Sequence, residues 1–380
     1  MPASVTLADV ARAAGVSLAT ASRAINGSAT RTVRPELRER VLAVAADLNY
    51  LPNANAQAMA RGHTTALGLI VHDIADPYFS TIAAGVSAAA EEADLMVTLG
   101  NTQHDPEREL ALVGVLHRQR ARAIVIAGGR HDDEQMHSRL GTALDAYRSG
   151  GGSVAMISQP VLDIDTVAID NAAGAGQLAG ALLELGYRSF AVLAGPPGHL
   201  TARERLEGFT AALPTRPDAT GPGAAGPDAA QADAAGPDAA RNGQLQARHV
   251  IASEFTRDGG YTAMRELIDR ADLPGGEVDA VFAVNDVMAV GAMAAARDAG
   301  VRVGPDVGVA GFDDIATLRD VSPALTTVQV PLHRAGTLAT RMALGAPAPD
   351  LPPREAHDSG ARLVHLNGTV VLRDSTPPRA

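Results

Sequence analysis

The chain of 380 residues has no cysteine and no tryptophan, and all 32 of its basic residues are arginine, because lysine is missing as well. Without cysteine there are no disulfides, thiolate nucleophiles or thiolate metal sites. Without lysine there is no Walker-type phosphate-binding loop and no Schiff base. Aromatic residues make up only 3%, so each one near a ligand site carries weight. The eleven histidines are scattered without metal-ligand spacing, and no cofactor or metal is expected. No G-x-S-x-G, H-E-x-x-H or glycine-rich dinucleotide motif follows a strand-like run, which argues against an enzyme. No apolar run approaches the length of a membrane span and no basic-then-apolar leader opens the chain, so a cytoplasmic location is expected.

What is present is unevenly distributed. The formal charge is −11, yet residues 1–64 hold seven arginines (Arg12, Arg23, Arg31, Arg34, Arg38, Arg40, Arg61) against four acids (Asp9, Glu36, Glu39, Asp47). That surplus of three positive charges leaves −14 for the rest. A basic head on an acidic body suits nucleic-acid contact confined to one end.

The head reads as three short helices. Thr6 can cap a helix through Ala14, Gly15 permits a sharp turn, and Ser17 can cap a second helix through Ile25. A third fits Arg34 to Leu48, with Val41, Leu42, Ala45 and Leu48 as its apolar stripe. "YLPNANAQAMARGHTT" follows, with Pro52 as breaker and an Ala-rich segment too short to be stable alone.

From Ala66 onward, apolar runs such as "ALGLIV", "LMVTLGN", "AIVIAGG", "VAMIS", "FAVLAG", "AVFAVND" and "VGVAGFDD" alternate with helix-like stretches, the pattern of βα units on parallel sheets. The number of units predicts two doubly wound sheets facing a cleft. Ligands on such sheets sit beyond the carboxyl ends of the strands, which makes the polar residues after each run candidates. The repetitive "GPDAA" stretch, Pro214 to Gln244, lacks the apolar residues of a core and reads as a disordered insertion.

"TLADVARAAGVSLATASRAIN", continuing into "LNYLPNANAQAMARG", resembles the head and hinge of the LacI/GalR family of bacterial transcriptional repressors. The resemblance continues through "DPYFSTIAAGV", "VAIDNAAG", "GYRSFAVLAGPPGHLTARERLEGF", "AVFAVNDVMAVGAM" and "VGVAGFDDIA". It implies a small all-α helix-turn-helix head joined to an α/β body of two doubly wound parallel-sheet subdomains, like a periplasmic binding protein. The expected boundaries are a head over 1–50, a hinge helix over 51–63, an amino-terminal subdomain of 64–169 and 330–358, and a carboxy-terminal subdomain of 170–329 and 359–380.

By match to the family motif, Leu18, Ala19 and Arg23 take the base-reading positions in the major groove. Arg23 can offer a fork to guanine, while Leu18 and Ala19 can meet only thymine methyls or shape. Thr6, Ser17, Thr20, Ser22 and Asn26 are placed to bond phosphates, although helix capping alone accounts for Thr6 and Ser17. Ala56 and Met59 match positions where paired hinge helices enter the minor groove, and Met59 would act as an apolar wedge. In an Ala-rich helix, core packing is its plainer role.

The resemblance also implies a small effector between the two subdomains. Arg203 and Asp313 are the expected contacts to paired hydroxyls, with Asn285 at a strand end, Phe255 as a flat wall, and Tyr78 and Phe79 opposite. Ser158 and Asp170 complete the candidate set. Plainer roles compete: Arg205 as a surface ion-pair partner of the helix, and Asp170 as a helix cap. The expected partners are double-stranded operator DNA of pseudo-palindromic sequence, a second copy of the chain, and a sugar. A nucleoside- or purine-responsive regulator and an exported-type sugar receptor are the alternatives. The end, "RDSTPPRA", has no leucine heptads to support a coiled-coil tetramer.

Overall fold

The computed structural model describes residues 5–26, 32–51, 57–58, 62–214, 244–345, 355–356 and 360–379. Three helices form the head: α1 (Leu7–Ala14), α2 (Leu18–Asn26) and α3 (Pro35–Asp47). Thr6 caps α1 in a reciprocal box with Asp9, and Gly15 ends it in the left-handed region at φ 65°. Their small core is made of Val10, Ala11, Ala14, Ala21, Ala24, Val41 and Ala45. In α3 the buried stripe runs through Val41 and Ala45, with Val44 and Leu48 packed beside them, whereas Leu42 is 38% exposed. Leu42 lies one residue, about 100°, off the i, i+4 line, so it is not part of the stripe as expected.

The body has two lobes. In the amino-terminal lobe, β1 (Ala66–Val71), β2 (Met96–Asn101), β3 (Ala123–Ala127), β4 (Val154–Ile157) and β5 (Asp165–Ile169) pair in parallel in the order β5-β4-β3-β1-β2. Alternate residues of these strands enter different cores. Leu67, Leu69 and Val71 face helices α4 (Pro77–Glu92) and α11 (Leu332–Ala343), while Ile70, Ile124 and Ile126 face α5 (Pro106–Arg118) and α6 (Glu134–Ser149). Burial on both faces is why these strands read as unbroken apolar runs.

The carboxy-terminal lobe holds β6 (Ser189–Gly195), β7 (Gln244–Ala252), β8 (Ala280–Ala283) and β9 (Gly308–Ala310) in the parallel order β7-β6-β8-β9. Its helices include α7 (Asn171–Glu184), α8 (Leu200–Ala211), α9 (Arg257–Asp269) and α10 (Asp286–Asp298).

Near its end the chain passes between lobes later than expected. β11 (Glu355–Ala356) and β12 (Arg362–Leu366) extend the amino-terminal sheet, with β12 parallel to β5, and only β13 (Thr369–Val371) returns to pair with β10 (Thr327–Gln329). The expected boundary at 359 is therefore too early: residues 362–366 belong to the amino-terminal sheet. The run "RLVHL" is short and carries two polar residues, so nothing in its pattern assigned it to a sheet. Of the Pro214 to Gln244 insertion only its two end residues are among those described, and Gln244 begins β7.

Candidate DNA-reading head and effector cleft

At the start of α2, Leu18 is 54% exposed and Ala19 is exposed as well, free of the head's core. Ser17 caps the helix: its hydroxyl accepts from the Thr20 amide at 3.1 Å and lies 2.8 Å from the Thr20 hydroxyl. Arg23 is partly exposed and has no ion-pair partner among the described residues. At the far end of α2, Asn26 Nδ2 donates to Ser22 Oγ at 3.3 Å, and Asn26 Oδ1 accepts from Gln57 Nε2 at 2.7 Å. In this arrangement Asn26 therefore ties the helix to the segment after the head instead of presenting its carbonyl outward. Ala56 and Met59 lie outside the described residues.

Between the lobes a cavity of about 400 Å³ is lined by Tyr78, Phe79, Phe255, Asn285 and Asp313, all expected there. It is also lined by Asp76, His72, His199 and Arg205, which were not. Arg203 does not reach it. That side chain is half exposed and pairs with Asp132 of the other lobe, Nη1 to Oδ2 at 2.7 Å. Arg205 takes the interior position and is 1% exposed. Its Nε donates to Asn171 Oδ1 at 2.9 Å, Nη1 to the Val284 carbonyl at 2.6 Å and Nη2 to Asp313 Oδ1 at 2.8 Å. The guanidinium also lies 3.9 Å over the Phe312 ring. Residues two apart on a helix are about 200° apart around its axis, so one arginine of the pair faces inward and the other outward.

Ser158 and Asp170 do not line the cavity. The Ser158 hydroxyl donates to the Gly128 carbonyl at 2.8 Å, back onto the neighbouring strand end. Asp170 caps α7 by accepting from the Ala173 amide at 3.0 Å. Asn285 does both: it caps α10 through the Met288 amide at 2.9 Å and borders the cavity.

The walls are held by close packing. Phe255 stacks on His199 with ring centroids 4.8 Å apart and planes 20° from parallel. A Cβ on Gly195 (φ 71°) would stand 2.8 Å from the Phe255 ring, and one on Gly129 would stand 2.3 Å from Thr201 Oγ1. Asp313 has φ 122°, a costly conformation for a non-glycine residue. The bonds Asp313 N to Val328 O (2.9 Å) and Val330 N to Asp313 O (3.3 Å) keep it there.

Burial decides the electrostatics. It pushes the Asp313 carboxyl up to about 8, against the pull of Arg205. Asp76 rises to about 6, again through burial, opposed by the Tyr78 amide it caps. His199 is driven down to about 3 by burial, then by His131 and His104 nearby, so its imidazole is neutral. The cavity therefore offers hydrogen-bonding groups with little net charge.

Contacts across the lobes lie beside the cavity. Gln159 Nε2, from the amino-terminal lobe, donates to Thr201 Oγ1 (2.8 Å) and Glu204 Oε2 (3.1 Å). Leu200 N donates to Arg130 O at 2.8 Å, and Asp132 N to Gly198 O at 2.8 Å. His72 directly follows the run "ALGLIV", so the rule that picks polar residues at strand ends would have found it. Arg205 had no comparable signal, because the sequence offered two arginines on one helix.

The comparisons with known proteins agree with this architecture. Residues 6–53 match the model for bacterial regulatory proteins of the lacI family. Residues 64–216 match periplasmic binding proteins and sugar binding domain of LacI family, and residues 179–376 match the periplasmic binding protein-like domain. The HTH-type transcriptional regulator DegA of Bacillus subtilis (strain 168) is 30% identical over 340 residues, 89% of this chain and 90% of its own. The HTH-type transcriptional regulator CelR of Thermobifida fusca is 32% identical over 342 residues, 89% of this chain and 90% of its own. A structure of a transcriptional regulator CelR–cellobiose complex is similar at TM-score 0.62 and 28% identity, covering 98% of this chain and 99% of that one. The lac repressor dimer bound to operator and the anti-inducer ONPF shares the fold at TM-score 0.73 and 23% identity, covering 99% of this chain and 100% of that one. The chain belongs to the lacI family of bacterial regulatory proteins and is an HTH-type transcriptional regulator.

Proposed function

We propose that the protein represses transcription from the cytoplasm as a homodimer on a pseudo-palindromic operator, released or tightened by a sugar in the cleft. The observation that carries the reading is the position of the cavity: it lies between lobes whose direct contacts, Arg203–Asp132 and Gln159–Thr201, border it. A ligand that binds one lobe arrangement better than another shifts the balance between them, and the head responds through the hinge. Arg205 positions Asp313, whose carboxyl meets paired hydroxyls, and Phe255 supplies the flat face on which a sugar ring rests. In the head, Arg23 reads a guanine while Leu18 and Ala19 contact thymine methyls. Two heads on a two-fold axis require two half-sites.

The reading is supported by a relative whose structure is described as a cellobiose complex and by one described as a repressor dimer bound to operator. The test is a thermal-shift screen over sugars and nucleosides, with each hit retested in gel shifts on the chain's own promoter region. A sugar that raises the melting temperature and changes DNA affinity is the expected result. A hit confined to nucleosides, or binding without effect on DNA, overturns the sugar-controlled reading. Any hit that is turned over would instead indicate an enzyme.

A further inference from the structure

Behind the cleft, within the amino-terminal lobe, lies a second cavity of about 470 Å³ between the starts of α5 and α6. His72, His104 and Gly129 line both cavities, so the two are separated by one layer of side chains. The His72 and His104 ring centroids are 4.9 Å apart in that layer. Three residues lining the second cavity carry a buried polar atom without a hydrogen-bond partner among the described residues: Thr102 Oγ1, Arg130 Nε and His137 Nε2. Thr102 is 1% exposed and Arg130 5%. Buried polar groups are nearly always satisfied, and three orphans around one space point to something that enters it.

The chemistry of the lining selects the occupant. Arg130 is held end-on by Glu109, Nη1 to Oε2 at 2.7 Å and Nη2 to Oε1 at 2.9 Å, and Glu109 is itself buried. Its charge is therefore neutralised, and Nε–H remains as a directional donor. Asp105 and Asp133 stand at the rim, each with Oδ1 accepting from the first amides of its helix. With carboxylates at the rim and no free cation, an anion is disfavoured. A hydroxyl, which donates and accepts, satisfies a threonine, a guanidinium N–H and an imidazole together. Leu140 provides apolar wall between them.

We propose that this chamber receives a second hydroxyl-bearing unit of the effector, so that the ligand is longer than one sugar ring; this rests on the cleft being the effector site. The natural control is Thr102→Val. A hydroxyl that serves only the fold would cost stability when lost, whereas removal of an orphaned buried hydroxyl leaves the ligand-free protein as stable or more so.

Two measurements on the full chain test it. Crystals soaked in glycerol, a small triol, are expected to hold glycerol against Arg130 Nε and Thr102 Oγ1 in the wild type and not in Thr102→Val. Ordered water alone at the three atoms in the wild type overturns the proposal, as does glycerol retained unchanged in the variant. Titration calorimetry with the mono- and disaccharides that stabilise the wild type is expected to show about tenfold weaker disaccharide binding in Thr102→Val, the scale of one hydrogen bond, with monosaccharide binding retained. Equal losses for both, or none, overturn it. If no sugar binds the wild type, the sugar reading of the cleft falls, and the glycerol soak still decides the chamber.

Discussion

Arg205 Nη2 meets Asp313 Oδ1 at 2.8 Å with both side chains buried, while Arg203, two residues earlier on the same helix, meets Asp132 at 2.7 Å with both half exposed or more. One pair builds the floor of the cleft and the other bridges its two lobes at the rim. Their energetic consequences differ accordingly.

Arg205→Ala leaves the Val284 carbonyl and Asn171 without their donor and removes the counter-charge of Asp313. Breaking a buried pair from one side costs about 3–5 kcal/mol. The melting temperature is expected to fall sharply in calorimetry, and sugar binding to be lost. Arg203→Ala removes a solvent-screened pair. It should leave the melting temperature unchanged and ligand binding detectable. Equal effects from both would remove the distinction between the two arginines.

The raised carboxyl of Asp313 has a sign that can be measured. The folded protein holds that proton up to about pH 8, whereas an unfolded chain releases it near the ordinary 3.8. Stability from this group is therefore complete at low pH and erodes as pH rises to 8. The buried histidines act oppositely: His199, lowered to about 3, is neutral when folded and takes up a proton near 6.5 when unfolded, so its contribution is lost as pH falls. Above pH 7 the histidines are neutral in both states and the Asp313 slope stands alone. Unfolding free energy is expected to drop by about 1 kcal/mol between pH 7 and 8 in the ligand-free wild type, and to stay level in Asp313→Asn. Parallel curves for the two proteins would show that Asp313 is ionised throughout.

Gly195→Ala probes the aromatic wall. The substitution places a Cβ 2.8 Å from Phe255 at a φ of 71°, a strain of about 1–3 kcal/mol. A lower melting temperature with weaker ligand binding is expected, since Phe255 must leave its stack on His199. Undiminished affinity would mean that the ring does not touch the ligand.

In the head, Arg23→Ala is expected to weaken operator binding by about 1–3 kcal/mol and to relax preference at one base pair, as judged by competition gel shifts with single-site operator variants. Asn26→Ala cuts the bond to Gln57 and should weaken binding uniformly across sequences. Met59→Gly should reduce operator affinity while ligand binding, measured by calorimetry, is unchanged. A uniform effect for Arg23→Ala would assign that side chain to phosphate contact.

The head and the strands of the body were largely legible from local pattern. Thr6 and Gly15 announce a helix and its end because capping and left-handed turns depend on single residues. Runs such as "ALGLIV" announce strands because both faces of each are buried. β12 escaped notice, since a five-residue edge segment joins its sheet only through pairing with β5, some two hundred residues away in sequence.

What the sequence determined alone, then, was the order of elements, the basic head and the polar residues available at strand ends, all set by neighbours within a few positions. Tertiary structure decided which of those residues meet. It sent Arg203 to the lobe boundary and Arg205 inward, and turned Ser158 and Asp170 to local backbone bonds. It also drew His72, Thr102 and Arg130 around a chamber that no spacing along the chain records. The physical reason is that burial and partnership are properties of the assembled lobes: a side chain's charge, pKa and role depend on what the fold places within a few ångströms of it.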